Sequence, residues 1–396
     1  MAKSIARPAL VLGLMSCIGP FAIDMYLPAM PAIGIDLGTS VQAMQGSITA
    51  YFLAFGLAQM LYGPWSDQSG RKPPLYAGIA VFCIGSLICA MAPTATMLLI
   101  GRAVQGFGGA ALMVVPRAIV RDMTTGNDAT RLMAAIMLVF SVSPMLAPLA
   151  GSALLAYTGW RAIFYALLIA AALSLIVLTF AQPETLPRDQ RQRFDLGETL
   201  RGAQRLMTDR AFLSLTFMGA FGMASFFVFL ASAAFVYTEH FGLTPTQFSL
   251  AFAANAVSFI GASQLAGPLG ARLGAIRLMR RATMGFAGCA CALFALALMG
   301  QANLWVCIIG LGLGNACLGL VIPTAMVMAL DDHGDIAGLA SSLGGTLQMM
   351  TGGVIVALMG PFFTSSPVPM IGVIALCALT AFALSRLTVK PQAASA

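Results

Sequence analysis

Twelve runs of about twenty mostly apolar residues, with most of the charges in the segments between them, decide what this chain can become. The runs cover roughly residues 8–30, 43–64, 74–92, 97–120, 132–154, 160–181, 211–237, 247–268, 279–300, 304–324, 336–359 and 368–387. Hydrocarbon offers no water to the backbone, so each run must close its own hydrogen bonds as a helix. Glycine and proline within the runs are compatible with that, because membrane-spanning helices tolerate both. Composition leaves little room for another class: 59% of the 396 residues are apolar and 9% charged, against about a quarter charged in a soluble domain. Mean hydropathy is +0.89. The first run follows a basic start, as a signal peptide would. It continues through Asp24 to Pro28 and Pro31, and eleven like it follow, so it reads as an uncleaved span. The expectation is an all-α membrane protein of twelve transmembrane helices.

The loops tell the two faces apart. Lys3, Arg7, Arg71, Lys72, Arg121, Arg131, the arginines between 188 and 210, those between 272 and 281, Arg386 and Lys390 all fall on one side of a twelve-span chain. The opposite loops hold almost none, Arg161 at the head of the sixth run being the exception. An excess of Lys and Arg marks the cytoplasmic side. Both termini and the segment 182–210 are therefore expected there, in a bacterial inner membrane. The net charge of +7 is then a topology signal. A nucleic-acid binder would instead show a clustered basic patch with interleaved aromatics.

Gly63-Pro64-Trp65-Ser66-Asp67-Gln68-Ser69-Gly70-Arg71-Lys72 reads as a charged, glycine-punctuated turn between the second and third runs. Its echo, Gly267-Pro268-Leu269-Gly270-Ala271-Arg272-Leu273-Gly274, lies 204 positions on, and Gly106-Phe107-Gly108 recurs at the same offset as Gly310-Leu311-Gly312. Repetition at a fixed offset marks a duplicated unit. The expected architecture is two pseudo-symmetric six-helix bundles, 1–181 and 211–396, joined by a cytoplasmic loop, 182–210. In that loop Asp195-Leu196-Gly197-Glu198 has capping-box form. Leu196, Leu200, Ala203 and Met207 then fall on one face of a helix suited to the inner membrane surface.

Of the charges within the runs of the first half, Asp24 and Arg102 are the most informative. Asp24 is a carboxylate in an apolar helix, where insertion costs about 2.5–3.5 kcal/mol, so it is expected to face a partner or a wet cavity and can act in a proton relay. The plain alternative is solvation, since Pro28 follows four residues later. Arg102 enters the fourth run at about the depth of Asp24 and falls within its reach; the alternative for Arg102 is snorkelling to the headgroups. The glycines after it allow close helix approach. At the inner end of that run Arg117 suits a network on the cytoplasmic side, while Arg121 and Asp122 read as a solvated helix end. Pro144 and Pro148 remove backbone donors and make either a hinge or an ordinary kink. At the repeat offset Asp24, Asp67 and Arg102 correspond to Val228, Ala271 and Val306. The second half keeps Asn255, Gln264, Asn315 and Gln348, with Phe221, Phe226, Phe227, Phe229 and Tyr237 in the seventh run. That division suggests ion coupling in the first half and an apolar, hydrogen-bonding wall in the second, unless the phenylalanines merely face lipid.

No residue pattern calls for catalysis, a metal or a cofactor. The eight cysteines lie in apolar runs, out of metal-ligand spacing with His240 or His333, and read as small buried hydrophobes. Asp331-Asp332-His333-Gly334-Asp335 is the one cluster of carboxylates with an imidazole that an integral-membrane enzyme could use, and a solvated loop explains it.

Two six-helix halves with Gly63-x-x-x-Asp67-x-x-Gly70-Arg71-Lys72 after the second span resemble the major facilitator superfamily. Arg102-x-x-Gln105-Gly106 is similar to the fourth-span motif of its proton-coupled drug exporters. Asp24-Met25-Tyr26-Leu27-Pro28-Ala29, Arg117-Ala118-Ile119-Val120-Arg121-Asp122 and Ala337-Gly338-Leu339-Ala340-Ser341-Ser342 resemble its bicyclomycin/chloramphenicol-resistance branch. The fifth-span antiporter motif, usually Gly-Pro-x-x-Gly-Gly, reads Ala147-Pro148-Leu149-Ala150-Gly151-Ser152 and keeps the small-Pro-x-x-Gly core. The resemblance implies a proton-coupled multidrug exporter of small amphiphilic compounds, phenicol- or bicyclomycin-like antibiotics and lipophilic cations, working by alternating access. An uptake symporter or metabolite exporter of the same fold is the alternative. It implies proton coupling at Asp24 and Arg102, and cargo contacts at Asp24, Tyr26, Phe226, Asn255 and Gln348. Gly63, Asp67, Gly70, Arg71, Lys72, Gln105, Gly106, Arg117, Pro144, Pro148 and Gly151 would form the conformational switch, with Asp67 latching onto inner-loop arginines. The expected partners are a small-molecule substrate, protons and the bilayer, with no nucleic acid and no cofactor; one chain holds a complete pathway, so a monomer is expected.

Overall fold

The computed structural model describes residues 6–124, 126–191, 196–331, 333 and 336–387, and among them there is no β-strand. The helices are α1 (Ala6–Asp24), α2 (Met30–Asp36), α3 (Val41–Ser69), α4 (Lys72–Ala90), α5 (Ala95–Met123), α6 (Gly126–Thr158) and α7 (Arg161–Ala181). They continue as α8 (Leu196–Thr208), α9 (Arg210–Phe235), α10 (Pro245–Leu273), α11 (Ala275–Leu298), α12 (Leu304–Asp331), α13 (Ala337–Met359) and α14 (Pro367–Leu387). Among the described residues, 10 helical segments are long and apolar enough to cross a membrane, the first being Pro8–Asp36. The other two expected spans are α3, interrupted by Gln42, Gln45, Gln59 and Asp67, and α6, whose described apolar part is Val142–Thr158.

Two boundaries differ from the sequence expectation, each for a backbone reason. The first span is not one helix: α1 stops at Asp24, because Pro28 has no N–H to give the Asp24 carbonyl, and helix resumes at Met30 after the 3-10 turn Leu27–Ala29. Nor is Gly63–Lys72 a long turn. Helix α3 runs through Pro64 to Ser69, and the chain breaks only at Gly70, with φ +97°. The echo behaves alike: α10 runs through Pro268 to Leu273 and breaks at Gly274, with φ +83°. Residues with a Cβ avoid that region, so glycine is what both corners require. Where α3 and α5 begin, Ser40 and Thr94 accept hydrogen bonds from the N–H groups of Ala43 and Met97.

The chain packs as two compact units. One comprises Met1–Phe194, Ala234–Ala253 and Val356–Pro361; the other comprises Asp195–Ala233, Ala254–Ile355 and Phe362–Ala396. In the first, α5 lies against α3 and α4, α4 also meets α7, and α1 packs on α5, α6 and α7. Lipid supplies no hydrophobic drive between helices, so such packing depends on small residues that let backbones close up. A Cβ on Gly106 would run into the Tyr51 carbonyl of α3, and one on Gly151 of α6 into the Met25 carbonyl. In the second unit α11 packs on α12 and α14, and Leu206, Phe212, Met218, Met279, Val321, Leu343 and Ala381 share a core. Helix α8 forms as expected, but it buries Leu206 in that core and leaves Leu200 and Met207 exposed. Asp195, at the head of the capping box, lies outside the described residues.

Candidate functional site

Arg102 is the centre of the polar structure in the first unit. Its position on α5 aims a long cationic side chain across the bundle, and it is 0% exposed. Snorkelling to the surface is therefore not its role. The Nη1 group donates to the Ala22 carbonyl at 2.9 Å and to Gln105 Oε1 one turn along α5. Gln105 Nε2 in turn donates to Ser86 Oγ of α4 at 2.8 Å, and Ser86 to the Phe82 carbonyl. The guanidinium carbon lies 4.7 Å from the ring centre of Tyr26 and 4.4 Å from that of Tyr51. Two electron-rich faces stabilise a cation that has lost its water. Both hydroxyls are also bonded: Tyr26 shares a 2.7 Å hydrogen bond with Ser47, and Tyr51 donates to the Gly19 carbonyl at 3.1 Å. Among the described residues, Arg102 Nε and Nη2 have no hydrogen-bond partner.

Asp24 is 5% exposed, so the solvated alternative does not hold. It ends α1 two residues beyond Ala22, whose carbonyl Arg102 holds. The expected Asp24–Arg102 interaction is not made directly: Arg102 gives its hydrogen bonds to Ala22 and Gln105. The helix break explains this, because α1 presents a backbone carbonyl to the guanidinium where a continuous helix would have kept its carbonyls to itself.

A second cluster gathers at Gly70–Lys72. Arg71 Nε and Nη2 grip both carboxylate oxygens of Asp122, on the last turn of α5, at 2.7 and 2.9 Å. Its Nη1 bonds Asp67 at 2.5 Å and Ser66 Oγ at 3.0 Å. Asp122 is thus no solvated helix end: its side chain is 12% exposed, against 54% for Asp67. Among the described residues, Asp67 pairs within its own motif, with Arg71, and not with an arginine of another loop. From the segment after α7, Glu184 accepts the N–H groups of Arg71 and Lys72 at the head of α4, at 2.9 and 3.1 Å, and those of Thr185 and Leu186. Burial alone would raise the Glu184 pKa, but these four donors hold it below its ordinary value. Thr185 Oγ1 closes the ring by donating to Asp122 at 2.9 Å. Arg117, half-buried on α5, is not brought into this network.

The remaining expected residues are dispersed. In α6 the helix runs through Pro144 and Pro148, and the Pro148 carbonyl accepts Ser249 Oγ at 2.9 Å. Nothing lies within 4 Å of a Cβ built on Gly63. In the second unit Asn255 accepts from Asn315 Nδ2 at 3.3 Å, Phe226 stacks on Phe259 at 6.1 Å, and Gln348 lies beside Gly219. Phe227 and Phe229 are buried, so they do not face lipid. His333 is buried as well, against Asp209 and Phe212, whereas Asp332, Gly334 and Asp335 lie outside the described residues. Sequence reading missed Tyr51, Ser86, Glu184 and Thr185 because each is an ordinary residue until a distant helix arrives. The run of turn-forming residues before 188 was the one signal for Glu184.

Membrane-length helices carrying a dry guanidinium and a buried carboxylate define a multi-pass membrane protein of the transporter class. The Major Facilitator Superfamily model matches residues 12–357, and the chain belongs to that family. It is 33% identical over 364 residues to YdgK of Bacillus subtilis (strain 168), an uncharacterized MFS-type transporter, covering 91% of this chain and 90% of that one. It is 29% identical over 380 residues to a bicyclomycin resistance protein homolog of Haemophilus influenzae, covering 93% and 92%. Among solved structures it resembles a D-xylose-proton symporter, with TM-score 0.78 and 15% identity over 98% of each chain.

Proposed function

We propose that this protein is a proton-coupled exporter of small amphiphilic compounds, a class that takes in phenicol- and bicyclomycin-like antibiotics and lipophilic cations. The observation that carries the reading is the dry Arg102, clasped by Tyr26 and Tyr51 with two groups unpaired, beside the buried Asp24. The name of the Haemophilus relative supports the cargo class. Asp24 is the proton site: protonated, it needs no counter-charge; ionised, it draws on the free Nε and Nη2 of Arg102 or on a cationic group of the cargo. Gln105 and Ser86 hold the guanidinium in place through both states. Tyr26, Phe226, Asn255 and Gln348 are the further cargo contacts. The halves are 1–181 and 211–396, joined by 182–210, and alternate access between the two sides of a bacterial inner membrane with both termini cytoplasmic. Gly70–Lys72 with Asp67 is the switch on the cytoplasmic face, and Gly106, Pro144, Pro148 and Gly151 set the helix contacts that rock. The protein works as a monomer and without catalytic chemistry.

The test is made in inverted vesicles with an acidified lumen and a dye reporting the pH gradient. Drug-induced collapse of the gradient in the wild type but not in Asp24→Asn is the expected result. Collapse in both would move the proton site away from Asp24, and no response to any drug of the class would refute export.

A further inference from the structure

We propose that His333 and Asp209 form a second proton-binding site, on the face of the second unit that carries the arginine-rich central segment. His333 is buried, with Nε2 3.2 Å from Asp209 Oδ2 and Nδ1 3.3 Å from the Ala329 carbonyl at the end of α12. Both oxygens can only accept, and neutral imidazole has one N–H. The arrangement is completed when both nitrogens carry protons. A positive imidazolium there also suits the carbonyl end of α12.

The site joins two helix ends. Asp209 Oδ1 accepts the N–H groups of Ala211 and Phe212, which start α9, and the Phe212 ring stands edge-on to His333 at 5.5 Å. Burial alone would raise the Asp209 pKa, but the two N–H groups and His333 hold it below its ordinary value, so its carboxylate is ready to receive the imidazolium. The other charged residues on elements sharing this core are Glu198, Arg201 and Arg205 on α8, Arg210 on α9, Arg277, Arg280 and Arg281 on α11, Asp331 on α12 and Arg386 on α14. Helix α13 carries none, and Asp332 and Asp335 lie outside the described residues. Acidification on this side therefore ties the head of α9 to the end of α12, and alkalinisation leaves one of the two ring contacts without its proton. That this side is cytoplasmic rests on the proposed topology; the site itself does not.

The protein has two histidines, so in a His240→Gln background the only imidazole is that of His333. Its titration can be followed by NMR of labelled histidine in the full chain, without any cargo, so the outcome does not depend on the export reading. Asp209→Asn keeps an acceptor to cap α9. It is expected to lower the His333 midpoint by about one pH unit, from loss of the adjacent negative charge. Amide protection over 205–213 should rise as pH falls through the His333 midpoint, and lose that dependence in His333→Gln. A midpoint unmoved by Asp209→Asn, or protection that stays flat through the titration, overturns the proposal.

Discussion

Asp122, which carries no part of the Gly63–Lys72 signature, should matter more to that turn than Asp67, which does. Asp122 accepts two N–H groups of one guanidinium and the Thr185 hydroxyl from a side chain that is 12% exposed. Asp122→Asn turns one acceptor into a donor and removes the charge from the other. A charge-assisted hydrogen bond of this kind contributes about 1.5–3 kcal/mol. The full cost of orphaning a buried charge, about 3–5 kcal/mol, is not reached, because Asp67 still neutralises Arg71 through Nη1. About 2 kcal/mol is a fair figure, which raises the open fraction about 30-fold, at 1.4 kcal/mol per decade. Asp67 is 54% exposed, and a pair so solvated contributes at most about 1 kcal/mol, or about 5-fold. Hydrogen exchange read on peptides covering 68–75 and 182–189 measures both, since the amides of Arg71, Lys72, Thr185 and Leu186 all bond Glu184. Exchange in Asp67→Asn as fast as in Asp122→Asn would refute the assignment of the anchor to Asp122.

The same amides report a pH dependence. The Glu184 pKa is depressed on folding, so its contribution is present above the ordinary value of 4.5 and is lost as pH falls through the lower folded value. Protection of Arg71 and Lys72, corrected for intrinsic rates, should stay level from pH 8 to pH 5, fall only below the ordinary value of 4.5, and be absent from Glu184→Gln throughout; a decline centred near neutrality would count against it. Gly106→Ala and Gly151→Ala each drive a Cβ into a backbone carbonyl and should cost about 1–3 kcal/mol, whereas Gly63→Ala meets open space and should not lower the thermal midpoint in detergent. Equal midpoints for all three would show that these contacts relax without cost. Tyr51→Phe should keep the ring over Arg102 but lose its bond to the Gly19 carbonyl, lowering the midpoint by less than Gly106→Ala does; a larger drop would mean that the hydroxyl holds the ring.

Much of this architecture is legible because lipid allows so few alternatives. A backbone that must satisfy itself within each span makes apolar run length a direct reading of the helices. What the runs could not convey was where helices stop within them. The break at Asp24 depends on one missing N–H at Pro28, and the continuation of α3 to Ser69 shows that Gly63 and Pro64 do not end a helix when the bundle supports it. Partners were harder still. Asp122 and Glu184 reach Arg71 across 51 and 113 residues of chain, and neither spacing has a period that a sequence can display.

The internal repeat separates what the fold needs from what function needs. At the 204-residue offset Gly70 is matched by Gly274 and Gly106 by Gly310, and both corner glycines take positive φ. Yet Tyr26, Ser47, Ser86, Arg102 and Gln105 fall opposite Leu230, Ala251, Ala290, Val306 and Ile309, and Asp24 opposite Val228. Each of these six residues has an apolar counterpart in the repeat, whereas Tyr51 falls opposite Asn255. Those polar groups are therefore not what a six-helix bundle requires in order to form. A buried guanidinium with two unpaired nitrogens costs stability. A chain that repeats its corners and the close-packing Gly106, and confines that cost to one half, is carrying it for something other than packing. Charge held dry beside a carboxylate that can be neutralised by a proton is the arrangement that proton-coupled transport would use.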